Sequence, residues 1–347
     1  SRSLHFSSEK LGDIQHTKLA TSSPVAKKRK QPKRKISPFL LCALLMIFCT
    51  CAHFLTHRQD LGNLETADTE NQDASSASLN PRYVTVVLPS VVNEGGRFKR
   101  LRSIDETWGQ AANAIYVYHP GKEYTPTSSS KSSYPQTMLV PSEVAAEDEG
   151  VPRLKYVIEQ IYHKYNPDFA FFGNDHTYVI PQHACDFLKG KNPNENMYAG
   201  HPMKPGGEDF AFNSGASGYF LSRETMRFLT KRWSEKEDIC EGNTAKNKKW
   251  LQGNPGMLTA KCLASIGLNP IDSRDELKRH KFHAFGLLRV VKGEVDQWYE
   301  RRHEGLNEIL GEDAKFNHKL QKGENCCSDR SISFHYVEWK ETLALTQ

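Results

Sequence analysis

Phe169-Ala170-Phe171-Phe172-Gly173-Asn174-Asp175-His176-Thr177-Tyr178-Val179 is the stretch on which the fold turns. Its first four residues are apolar without alternation, the mark of a strand covered on both faces, as in a parallel sheet flanked by helices. A glycine and three polar residues follow, and then the chain turns apolar again. Such a strand delivers its polar cluster to a carboxyl end, where open α/β sheets bind their ligands. Working outward, Tyr83 to Leu88 reads as a second buried strand, followed by a Gly95-Gly96 turn and a helix over Arg97 to Trp108. Ala114 to Tyr118 reads as another strand, and residues 121–136, rich in Ser, Thr and Pro, as a loop. Over Arg153 to Tyr165 the spacing of Leu154, Val157, Ile158 and Ile161 predicts a helix with one apolar face. Strands alternating with helices predict an α/β fold with a largely parallel sheet.

The polar cluster carries chemistry of its own. Asp175 offers a hard oxygen and His176 an imidazole, and manganese accepts both. A polar β-turn without a metal fits the same residues. Further along, Asn213-Ser214-Gly215-Ala216-Ser217-Gly218-Tyr219 is rich in small residues that let a ligand approach the backbone, and a tight loop before a helix at Arg223–Trp233 explains them as well.

Charge and cysteine usage bound the function classes. The chain has 347 residues and a net charge of +5, but its first 58 residues hold a surplus of nine Lys and Arg, so the remainder is acidic. The basicity belongs to the tail, which argues against nucleic acid as a partner of the body. Eight cysteines include no CxxC pair, so a structural zinc site is not expected. Five of them (Cys185, Cys240, Cys262, Cys326 and Cys327) lie in the body, an odd number that leaves at least one thiol free or paired outside the chain.

Residues 36–55, ISPFLLCALLMIFCTCAHFL, carry no Asp, Glu, Lys or Arg. Twenty helical residues rise about 30 Å, the thickness of a bilayer core. Seven basic residues between Lys27 and Lys35 precede this span, and acidic ones follow it. The expectation is a basic cytoplasmic tail (1–35), a transmembrane signal anchor (36–55), a flexible acidic stem (56–80) and a lumenal domain (81–340), a single-pass type II arrangement.

The body resembles the core 1 beta-1,3-galactosyltransferases of the fringe-related glycosyltransferase family. PDFAFFGNDHTYVIPQHACDFL is similar to the family segment in which three aspartates precede Thr-Tyr-Val; here Asn174, Asp175 and His176 precede Thr177-Tyr178-Val179. The stretch Asn213–Ser222 resembles the family's Gly-rich segment, and Asp272-Ser273-Arg274-Asp275 matches a family motif. Phe282-His283-Ala284-Phe285 resembles Phe-His-Pro-Phe, and Cys326-Cys327-Ser328-Asp329 with Ser333-Phe334-His335-Tyr336-Val337 resembles the family's ending. Glu106-Thr107-Trp108 fits a Thr-Trp near the donor nucleotide.

The resemblance implies a nucleotide-diphospho-sugar transferase (GT-A-like) α/β sandwich preceded by a single transmembrane helix, in a Golgi membrane. It implies an inverting transfer of a hexose, galactose above all, from a UDP-sugar to a GalNAc-bearing glycoprotein or glycan in beta-1,3 linkage. Donor contacts would fall to Thr107, Lys155, Asn174, Asp175 and Tyr219. Mn2+ would be held by Asp175, His176 and His283, and Cys240 would pair with Cys262. A homo- or hetero-dimer is left open. Two departures stand out. Two of the three aspartates are replaced, and Pro255-Gly256 stand where the family has an acidic pair that includes the expected general base. Asp238, Glu241, Glu208 and Asp209 are the nearest acids along the chain, and the catalytic base is unassigned. Those departures also suit a catalytically inactive homologue acting as a chaperone or a glycan-binding module.

Overall fold

The fold comes from a computed structural model that describes residues 81–89, 96–127, 134–144, 150–241, 254–310, 320–338, 340 and 342. Its centre is strand β1 (Tyr83–Val87), with every residue buried. Val and Tyr suit a pleated surface, and burial on both faces explains why the run shows no alternation. Helix α1 (Arg97–Asp105) leads to β2 (Ala114–Tyr118), and β3 (Thr137–Leu139) closes that edge. Helix α2 (Gly150–Gln160) buries Leu154, Val157 and Ile158. It ends in a widened turn, Ile161–Tyr165, that Asn166 stops in a left-handed conformation at φ 45°.

Strand β4 (Phe169–Gly173) follows, fully buried, then β5 (Tyr178–Val179), α3 (Pro181–Leu188) and β6 (Tyr198–Gly200). Next come β7 (Pro202–Met203), β8 (Phe212–Asn213), β9 (Tyr219–Ser222), α4 (Arg223–Ser234) and α5 (Pro255–Ala264). Short elements complete the chain: β10 (Phe282–His283), α6 (Leu287–Val291), α7 (Gln297–Arg301), α8 (Leu306–Leu310) and β11 (Ser333–Phe334). Helix α4 shows why its residues coil. Ser222 caps it by accepting from the Thr225 amide, Glu224 sits in the first turn, and Lys231 and Arg232 sit in the last, matching the helix dipole. Met226, Leu229 and Trp233 form its buried stripe.

The main sheet has the order β3-β2-β1-β4-β9-β6. Strands β3, β2, β1 and β4 run parallel, whereas β9 is antiparallel to both β4 and β6. The sheet is therefore mixed rather than largely parallel, because β9 pairs directly with β4 through Phe169–Ser222 to Phe172–Tyr219. A second sheet has the order β10-β11-β5. Between them lies an aromatic core: Phe171 meets Phe220 edge-on at 5.0 Å, and Phe187 packs against both Phe220 and Phe282.

The expectation of a sandwich preceded by a transmembrane helix is corrected to a mixed α/β fold. Among the described residues no helix is long and apolar enough to cross a membrane. Helix α4, with 12 residues, rises only about 18 Å and carries charges along its length. The tail, the apolar span and the stem, residues 1–80, lie outside the described residues.

Cys240 is bonded to Cys262 across a separation of 22 residues, and Cys326 to Cys327, its neighbour. Cys185 carries the free thiol among the described residues. Closing a loop of this length restricts the unfolded chain by about 3 kcal/mol. A double Cys240→Ala, Cys262→Ala variant is expected to lose about that much stability in urea titrations, and a midpoint equal to the parent's would remove the argument.

Candidate functional site

The chain passes from β1 to β2 and β3 on one side, then crosses back to place β4 on the other side of β1. That reversal leaves a crevice beyond the carboxyl ends of β1 and β4, the place where open α/β sheets hold ligands. A cleft of about 170 Å³, partly open to solvent, occupies it. Leu88 lines it from the end of β1, and Phe172, Gly173 and Asn174 from the end of β4. Gly150, Arg153 and Leu154 of α2, Gly215 and Tyr219 before and in β9, and Pro255 and Gly256 of α5 supply the other walls. The starts of α2 and α5 abut, since a Cβ on Gly150 would come within 3.1 Å of the Pro255 ring. The first residues of both helices thus border the cleft, at the helix ends that carry partial positive charge.

A local turn sets Asn174 in place. Its side-chain Oδ1 accepts from the His176 amide at 2.9 Å, and its own amide donates to Thr177 Oγ1 at 3.1 Å. Thr177 Oγ1 in turn donates to the Ala216 carbonyl at 3.1 Å, tying the turn to the small-residue loop opposite. Asn174 Nδ2 lies 3.2 Å from His335 Nε2, which accepts when the His335 proton is on Nδ1. Burial, with help from nearby His176, holds the His335 pKa down to about 3, so the ring is neutral at physiological pH.

Beside the cleft, Arg153 also lines a small hollow with Arg97, His119 and Lys122, at the carboxyl edge of β1 and β2. Arg153 Nη1 donates to the Pro89 carbonyl at 3.1 Å, which fixes the guanidinium between the two cavities.

The expected site residues separate into two groups. Asn174 and Tyr219 line the cleft. Tyr219 is buried and stacks on Phe172 at 5.7 Å. Thr107 turns back on its own helix, where its hydroxyl donates to the Ser103 carbonyl. Lys155 pairs with Glu241 and lies 5.7 Å from the Trp233 ring, in a separate hollow with Pro255 and Thr259. Asp175 is buried away from the cleft, its Oδ2 accepting from Arg100 Nε at 2.7 Å.

The three expected metal ligands do not come together. His176 is half-buried, its ring 6.0 Å from that of His335, and its Nδ1 has no hydrogen-bond partner among the described residues. His283 stacks on Phe334 at 4.5 Å, with Nε2 at 3.0 Å from Ser331 Oγ and Nδ1 at 3.9 Å from Cys327 Sγ. Burial lowers its pKa to about 3. Among the described residues no group of three His, Cys, Asp or Glu side chains is placed to hold an ion. A divalent cation held by Asp175, His176 and His283 does not fit this donor set. The histidine that joins the Asn174 turn is His335; its segment was legible in the sequence, but nothing there distinguished it from His283 as the nearer imidazole.

Among the described residues no carboxylate lines the cleft. Glu241 is taken by Lys155, and Glu208 pairs with Lys261 at 3.3 Å. An aromatic shelf is exposed around Phe285: Tyr336 is 57 % exposed and Trp298 48 %, on either side of that ring. Tyr336 holds φ at 56°, a left-handed conformation rare for a bulky residue and met most often where function demands it.

No protein-family model matches the chain. Among curated proteins it is similar to the glycoprotein-N-acetylgalactosamine 3-beta-galactosyltransferase 1 of Xenopus laevis, 27% identical over 198 residues, covering 53% of this chain and 46% of that protein. The chain thus spans about half the length of the curated relative it matches. The likeness is distant, and it supports kinship with a glycosyltransferase family at the level of a transferase.

Proposed function

We propose that the chain is a UDP-sugar-dependent hexosyltransferase that moves galactose, or a related hexose, onto a GalNAc-bearing glycoprotein in beta-1,3 linkage. The observation that carries it is the cleft at the β1–β4 crevice, where Asn174, Gly215, Tyr219 and Arg153 surround a space suited to an anionic nucleotide. The kinship with a galactosyltransferase supplies the reaction class. In this reading the acceptor hydroxyl attacks the anomeric carbon as UDP leaves from the opposite face, so one glycosidic bond forms as the other breaks. Arg153 and the helix starts offset the charge growing on the diphosphate. Tyr336 beside His335, and Trp298 across Phe285 from it, offer apolar faces against which an acceptor sugar can lie. The disulfides fit an oxidising lumen such as the Golgi's.

A second reading has one specific observation in its favour. Pro255 and Gly256 line the cleft, so at those two positions no side chain can serve as a base. A chain that binds the nucleotide sugar or a client protein without turnover fits that wall equally.

The test is transfer from UDP-galactose to a GalNAc-peptide by the purified chain, with the linkage read by NMR. An Asn174→Ala variant is expected to lose at least tenfold in kcat/KM, or about 1.4 kcal/mol of transition-state stabilisation. UDP binding without product, in a folded chain that restores a client enzyme, would replace the transferase by the second reading.

A further inference from the structure

We propose that the cleft binds its nucleotide diphosphate without a divalent cation, its charge being met by fixed cationic side chains of the protein. The inference rests on the donor reading above and deepens it.

The first ground is the state of Asp175. Its carboxylate and the Arg100 guanidinium are 2.7 Å apart, with side chains 0% and 4% exposed. Arg100 comes from α1 and Asp175 from the turn after β4, 75 residues apart, so the pair is a tertiary contact built into the core. A charge-assisted bond of this kind satisfies the carboxylate as a cation would. An ion at Asp175 Oδ2 would have to compete with the Arg100 guanidinium for a carboxylate that is fully buried. Of the turn's three polar residues, Asn174 is the one that lines the cleft. A hydrated Mn2+ or Mg2+ needs open positions shared between carboxylate and diphosphate, and among the described residues no carboxylate lines the cleft to share one.

The second ground is independent of the first. His283, on β10, has its ring against Phe334, while the next residue along, His335, belongs to the Asn174 side. The two imidazoles therefore keep different company, His335 at Asn174 and His283 at Phe334 and Ser331. His283 Nε2 is also engaged by Ser331 Oγ, and its Nδ1 lies 3.9 Å from the disulfide sulfur of Cys327.

The third ground is what stands in the cation's place. Arg153 lines both the cleft and the adjoining hollow, and Arg97 and Lys122 line that hollow too. Guanidinium and ammonium groups held at fixed positions do for a diphosphate what a bound metal does, and they require no ion to be recruited.

The experiment is calorimetric titration of the full chain with UDP, once in excess EDTA and once in excess Mn2+. UDP is expected to bind in both with affinities within about twofold of each other. A Lys122→Ala variant, at a half-buried position outside the core, is expected to weaken UDP binding about fivefold in EDTA without changing the melting temperature. Binding that appears only with Mn2+, or tightens tenfold or more with it, overturns the inference and leaves the donor reading standing. No UDP binding under either condition overturns the donor reading, and this inference with it.

Discussion

Lowering the pH from about 7.5 to about 5 is expected to remove most of the protein's stability, through histidines that the fold keeps neutral. Burial depresses His283 and His335 to about 3 and His303 to about 4, and it pushes His280 well below the ordinary value of 6.5, helped by the neighbouring His201, His303 and His283. Each is a base whose folded pKa lies below its unfolded one. The unfolded chain therefore takes up protons below about pH 6.5 that the folded chain refuses until about pH 4 or lower. Stability is whole above pH 6.5 and falls as the pH falls. One such histidine costs about 1.4 kcal/mol per pH unit, so the three with resolved values together cost about 4 kcal/mol per unit, and His280 acts in the same direction. By pH 5 the loss is about 6 kcal/mol, the size of a typical domain's entire stability. Urea titrations followed by tryptophan fluorescence at pH 7.5, 6 and 5 would show the midpoint falling steeply. Equal midpoints across that range would mean that these rings are hydrated or charged in the folded protein.

The packing behind this prediction is specific. His201 Nδ1 faces the Phe282 carbonyl at 2.9 Å, and its Nε2 lies 2.8 Å from His303 Nε2 and 2.6 Å from the Tyr299 hydroxyl. The His280 ring lies tilted against that of His201, 4.6 Å between centroids. A proton on any one of these rings would place a charge among neighbours that are themselves bases, in a site closed to water.

Gly218→Ala is expected to destabilise the protein by about 4 kcal/mol. A Cβ at this position would lie 2.1 Å from Cζ of Phe171, and the backbone stands at φ 74°, where an L side chain is strained. Phe171 is fully buried at the centre of β4 and packs on Phe220, so its ring cannot retreat without disturbing the aromatic core. For a body of this size such a loss lowers the melting temperature by about 8 to 16 °C. Gly190→Ala is the control. It has a similar φ of 73° but nothing within 4 Å of the added atom, so its cost is strain alone, about 1 kcal/mol. Equal effects at the two positions would show that backbone conformation, and not the Phe171 contact, dominates. Gly218 also precedes Tyr219 of the cleft wall, so a tolerated Gly218→Ala protein is expected to bind UDP more weakly.

Local pattern carried much of the architecture. The strands at Tyr83, Ala114 and Phe169 and the helices at Arg97, Arg153 and Arg223 stand where apolar runs and spacing put them, because each is set by residues within one segment. The β9 and β6 strands were a different matter. Tyr219–Ser222 has only four residues, and its antiparallel pairing with β4 depends on a partner some fifty residues away. The end of the α2 helix shows the same limit on a smaller scale: Ile161 keeps the apolar face, yet Asn166 stops the coil in a widened turn.

What the sequence by itself determined is a list of residue types at a strand end: Gly173, Asn174, Asp175 and His176 at the carboxyl end of a buried strand, and Pro255-Gly256 where a carboxylate pair was expected. Tertiary structure decided which of them meet. Asp175 is withdrawn from the cleft because a guanidinium 75 residues earlier reaches it in the core, and no spacing rule links those two positions. His335 displaces His283 from the Asn174 turn because β11 pairs between β10 and β5, which presents one of the two imidazoles to the turn and buries the other behind Phe334. Side-chain chemistry is written residue by residue, but the partner that neutralises, orients or buries a group is chosen by packing over distances along the chain that local pattern does not span.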